Sequence, residues 1–127
     1  MEPEGIKWLI DYAEARELSK KTLKPIVLFF TGSDWCAWCI KLEEEVLNTP
    51  DFAAAVLDKF IFVKADFPNK FKLSRALASQ NDALKKAHGV RGFPTLIILD
   101  SEGKKIGAIG YKAGGSQQFI DYLNSLI

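Results

Sequence analysis

The chain has 127 residues, 48% of them hydrophobic, enough to bury one core without staples and most simply read as a single domain over residues 1–127. Seventeen basic against sixteen acidic residues leave a formal charge of +1, so no overall field recruits nucleic acid or an anionic membrane surface. Apolar runs such as residues 26–30 are strand-sized, short of a membrane span, and the start Met1-Glu2-Pro3-Glu4-Gly5 has neither the basic nor the apolar segment of a secretory leader.

In chain order, Ile6, Leu9, Ile10, Ala13 and Leu18 recur at mostly three- and four-residue spacing, which predicts an amphipathic helix over residues 6–21, entered through a short extended piece near Trp8. After Pro25, residues 26–30 form a continuous β-branched and aromatic run, the pattern of a strand buried on both faces. From Cys36 the period becomes helical, with Cys36, Cys39, Ile40, Val46 and Leu47 on one face. Thr49 and Pro50 read as the cap and first residue of a further helix through Leu57. Residues 60–66 are the next strand and 67–72 a loop; residues 73–88 are a helix stopped by Gly89. Residues 95–99 are a second central strand, and a turn at 100–103 joins it to a hairpin partner ending at Ile109. Gly114-Gly115-Ser116 opens a last helix, with Phe119, Ile120, Leu123 and Leu126 as its buried stripe. Strands of mixed direction with helices on both sides predict a three-layer α/β/α sandwich around a mixed central sheet.

Both cysteines lie in Trp35-Cys36-Ala37-Trp38-Cys39, where a strand gives way to a helix. Two thiols separated by two residues at a helix start can close a small disulfide ring locally, and so carry two electrons. Cys36, at the helix N-terminus, is expected to be the nucleophile, because free backbone N–H groups and the helix dipole favour its thiolate. Cys39, one turn deeper, is expected to resolve the mixed disulfide. Zinc needs four ligands, and beyond this pair the chain offers a single His88 far along the sequence; His88 reads instead as the end of its helix beside Gly89.

A strand, then Trp-Cys-x-x-Cys at a helix start, then Gly92-Phe93-Pro94-Thr95 leading into a later strand, resembles the thioredoxin superfamily over nearly the whole chain. Within it, the stretch from Phe29 to Cys39 is similar to small exported disulfide reductases of the DsbH type and, more distantly, to the C-terminal domain of DsbD. The resemblance implies a thioredoxin-like fold, a thiol–disulfide oxidoreductase without a cofactor, and a cis Phe93–Pro94 bond beside Cys36 where an extended substrate can pair. It implies protein disulfide substrates, an upstream redox partner, a monomer, and an exported or periplasmic location, with a cytoplasmic thioredoxin, a disulfide isomerase or a binding module without turnover as the alternatives.

Trp35, Trp38, Phe93 and Pro94 are the expected substrate-binding residues. The position six before the first cysteine, where thioredoxins keep a buried acid, is Phe30 here. At 100° per residue Glu43 falls within the apolar stripe one turn after Cys39, where a partly desolvated carboxylate could exchange a proton with that thiol; the alternative is that it turns outward with the solvated Glu44 and Glu45. Asp34 is expected to disfavour and Lys41 to favour the Cys36 thiolate, each modestly. The segment from Asp66 to Pro94 is longer than its counterpart in the family pattern, an extension that suits partner choice or is neutral.

Overall fold

A computed structural model describes residues 5–127; the acidic start at residues 1–4, read above for the absence of a leader, lies outside them. Five strands, β1 (Trp8–Leu9), β2 (Ile26–Thr31), β3 (Ile61–Asp66), β4 (Thr95–Leu99) and β5 (Lys105–Gly110), form one sheet in the order β1-β3-β2-β4-β5. β1, β3 and β2 run parallel, while β4 is antiparallel to β2 and β5 to β4. The predicted mixed sheet is therefore present, with β2 at its centre. Every residue of β2 is buried, as expected of a strand whose two faces are both covered.

Alternation along β2 divides the core. Val27 and Phe29 face a layer made of α2 (Ala37–Leu42), a wider π-helical turn (Glu43–Leu47), α3 (Pro50–Val56) and α5 (Ser116–Ser125), through Leu42, Val46, Phe52, Phe119 and Leu123. Leu28 and Phe30 face the opposite layer, α1 (Tyr12–Thr22) and α4 (Arg75–Ala87), through Ala15 and Leu84. This is the predicted α/β/α sandwich.

Local chemistry sets most of the boundaries. Thr49 caps α3 by accepting from the Phe52 amide, with Pro50 in the first turn. Ser74 caps α4 in the same way, and Gly89, at φ +63°, lets the chain leave it. The N-terminal helix differs from expectation. It starts at Tyr12, capped by Asp11, and buries Ala15 and Ser19, while Ile10 and Leu18 are exposed. Ile6 and Leu9, which the spacing places on the same stripe, precede the helix, and Leu9 belongs to β1, so the apolar spacing runs across a strand and a helix.

The candidate redox site

Cys36 is the N-cap of α2, its backbone still extended (φ −88°, ψ 104°), and its sulfur accepts from the Cys39 amide at 3.3 Å. The sulfur thus sits at the positive end of a helical segment that continues through the π turn to Leu47. Cys36 keeps 8% of its surface exposed and Cys39 none, and both sulfurs are free. Burial, reinforced by the neighbouring Cys36 sulfur, pushes the Cys39 thiol up to about 11; the Thr31 hydroxyl and the Gly32 backbone act the other way. Two unlike thiols result, one nearly buried at the helix start and one fully buried and held protonated.

The surroundings are two aromatic walls. On one side the Trp35 ring meets Phe93 edge-on, centroids 5.9 Å apart, and Phe93 stacks on Phe67 at 5.1 Å. The Phe93–Pro94 peptide is cis and Pro94 is buried. On the other side Trp38 lies 5.0 Å from Tyr111, with the Lys41 ammonium 5.1 Å above the Trp38 ring. The Tyr111 hydroxyl donates to Glu45 at 2.6 Å, and that carboxylate raises the phenol above its ordinary range. Trp35, Trp38 and Phe93 are thus placed around the cysteine pair, Trp38 more than half exposed. Lys41 is engaged with Trp38, Tyr111 and Glu45.

Beneath the pair, as expected, β2 offers no acid. The side chain of Phe30 points into the layer of α1 and α4, away from the thiols; the residues of β2 on the α2 side are Phe29 and Thr31. No carboxylate therefore rises from β2 toward Cys39. Glu43 turns inward, its carboxylate 2.9 Å from the Lys64 ammonium, the two side chains 19% and 28% exposed. Lys64 stands beside Phe29 in register and passes over the rings of Trp8 and Phe29 at 5.4 and 6.0 Å. A lysine inside the apolar run of β3 was the sequence signal for this pair, since a part-buried ammonium calls for a counter-charge.

The residues ahead of Cys36 do work that the sequence did not suggest. Ser33 donates through its amide and hydroxyl to Asp66. Asp34 accepts from the amides of Asn69 and Lys70 at 2.9 and 2.7 Å, and the Asn69 bond above all holds its carboxyl below the ordinary range. Trp35 Nε1 donates to the Phe67 carbonyl at 2.7 Å.

A thioredoxin-like domain family matches residues 12–127. The chain belongs to the thioredoxin-like family. Among its relatives, the disulfide bond reductase DsbH of Chlamydia pneumoniae is 40% identical over 116 residues, covering 91% of this chain and 70% of that protein. The thioredoxin-related protein DsbJ of the same organism is 35% identical over 107 residues, 84% of this chain but 31% of DsbJ. A solved structure of a DsbH oxidoreductase superimposes with a TM-score of 0.89 at 39% identity, over 98% of this chain and 85% of that one. The C-terminal domain of Neisseria meningitidis DsbD, at 23% identity and a TM-score of 0.67, shares the fold. This member of the thioredoxin-like family is a DsbH-like thiol–disulfide oxidoreductase by kinship, and it carries the cysteine pair that such chemistry needs.

Proposed function

We propose that this protein reduces disulfides in other proteins, with Cys36 as nucleophile and Cys39 as resolving thiol. The carrying observation is the asymmetry of the pair, an N-cap sulfur that accepts an amide bond and a fully buried partner. The Cys36 thiolate attacks one sulfur of a substrate disulfide, forming a mixed disulfide and expelling the other sulfur as a thiolate. Cys39 then gives up its proton and attacks the Cys36 sulfur; the Cys36–Cys39 disulfide forms and the second substrate sulfur leaves and is protonated. Two electrons have passed to the substrate, and a dithiol donor upstream must restore the pair. Trp35, Trp38, Phe93 and Pro94 supply the surface against which the substrate chain lies.

We assign the proton taken from Cys39 to Glu43, whose carboxylate is turned inward one helical turn after that thiol. We place the protein in an exported compartment, as a single-domain monomer, on the strength of the likeness to Dsb proteins; no described helix is long and apolar enough to cross a membrane.

Cys39→Ala is expected to accumulate covalent complexes with a disulfide substrate through Cys36, visible on a non-reducing gel, whereas Cys36→Ala yields none. Trapping through Cys39 instead would reverse the roles. Glu43→Gln is expected to leave formation of the mixed disulfide intact and slow its resolution by about 10²-fold, with the pH dependence of the second step altered. An unchanged profile removes Glu43 from the mechanism. Failure to accelerate insulin reduction by dithiothreitol would favour a binding module without turnover.

A further inference from the structure

The three residues that precede the nucleophile all hold the same stretch of chain. Ser33 bonds to Asp66, Asp34 to the amides of Asn69 and Lys70, and Trp35 to the Phe67 carbonyl. The loop between β3 and α4, part of the extended segment, is thereby fixed against the active-site turn. Between Trp35 and this loop lies a cleft of about 460 Å³, within the size of pockets that take organic ligands, ~300–1,000 Å³.

Its walls are the rings of Trp35, Phe67 and Phe71, with Pro68, Leu73 and Ala78 completing them. Trp35 and Phe71 leave 45% and 52% of their surface to water, so apolar area remains to be covered. The charges at the cleft give no ionic preference: the Asp66 carboxylate is engaged by Ser33, and Lys72 and Asp82 are opposite in sign. Trp35 is both a wall of the cleft and the residue next to Cys36, so a polypeptide that lays a disulfide on Cys36 on this side passes over the cleft mouth.

We propose that this cleft is a docking subsite for an aromatic side chain of the substrate polypeptide, close in sequence to the cysteine that Cys36 attacks. Aromatic rings suit it because Trp35 and Phe71 are part-exposed aromatic walls, and aromatic pairs gain an advantage beyond buried area. The assignment rests on the oxidoreductase reading and adds the class of substrate that reading leaves open.

Two disulfide-linked peptides that differ in a single position beside the cysteine, phenylalanine in one and serine in the other, test it by single-turnover reduction with the pre-reduced full chain. The phenylalanine peptide is expected to be reduced about tenfold faster at sub-saturating concentration, the yield of one well-buried ring. In Phe71→Ser, a change at an exposed loop position, the ratio between the two peptides is expected to fall toward one. Equal rates in the unmodified protein, or a preference that survives in Phe71→Ser, overturn the subsite while leaving the redox chemistry standing. Reduction of neither peptide, nor of hydroxyethyl disulfide, overturns the oxidoreductase reading instead.

Discussion

Thr31 shows how finely the buried thiol is set. It ends β2 on the side facing α2, is fully buried, and its hydroxyl closes no hydrogen bond of standard geometry among the described residues. That hydroxyl is nonetheless among the influences that favour the Cys39 thiolate, a weaker one than burial. A buried polar atom without a partner destabilises a fold by about 1–3 kcal/mol. Thr31→Val keeps the shape and the strand preference, so it is expected to stabilise the reduced protein by about 1 kcal/mol in urea unfolding while moving the Cys39 titration upward and slowing resolution. A rise in stability with no change in the Cys39 titration would separate Thr31 from the thiol. At this scale the pair and Pro94 were legible because their spacing is chemistry in itself. Thr31 was not, since nothing in Phe29-Phe30-Thr31-Gly32 tells which side chain ends under α2; Phe30, six before Cys36, faces the other layer.

Among the elements, the turn from β2 into α2 leaves no room for a side chain at Gly32. The Cys36 amide returns to the Gly32 carbonyl at 2.9 Å, and the Trp35 ring folds back over Gly32 so closely that a Cβ there would overlap its indole atoms. Gly32→Ala therefore has to push away a ring held by the Phe67 carbonyl and by Phe93. The expected cost is about 1–3 kcal/mol of stability, with loss of hydrogen-exchange protection at the Asn69 and Lys70 amides as the loop loosens. A variant with native protection at both would show that Trp35 does not hold the loop. β2 and β4 were readable as unbroken apolar runs because burial on both faces leaves no polar alternation. The start of α1 is hidden in the sequence because only Ile10 and Asp11 separate it from β1, and Ile10 continues the apolar spacing. The π turn at Glu43–Leu47 carries no sequence mark either, yet it sends three consecutive glutamates to different ends: Glu43 to Lys64, Glu44 to solvent, and Glu45 to Tyr111 and Lys41.

For the molecule as a whole, His88 and Cys39, both favoured in their neutral forms by burial, shape the acid and alkaline sides of the stability profile. His88 ends α4, and burial, helped by Lys105, depresses its pKa from the ordinary value. Around and below pH ~6.5 the unfolded chain binds the proton that the folded one resists, so stability falls as the pH drops through that range. Cys39 is the opposite case, raised to about 11 by burial. Its contribution is complete below the unfolded thiol value of ~8.5 and is lost as the pH rises toward 11. Urea unfolding of the reduced protein is expected to give a plateau between these limits, with His88→Gln flattening the acid side. The oxidised protein, having no Cys39 thiol to titrate, is expected to lose the part of the slope that begins near pH ~8.5 and to keep only the later loss from the raised Tyr12 and Tyr111 phenols; a slope equal in both redox forms would assign it elsewhere.

The bonds from Ser33, Asp34 and Trp35 to the segment from Asp66 to Lys70 also bear on how such a loop can be inherited or engineered. Two pieces of sequence more than thirty residues apart make a single transplantable unit. A loop moved into another scaffold of this fold without the Ser-Asp-Trp that precedes Cys36 would arrive untethered. Conversely, a protein that keeps those three residues has a ready socket for a new loop, and with it a route to new substrates that leaves its thiols untouched.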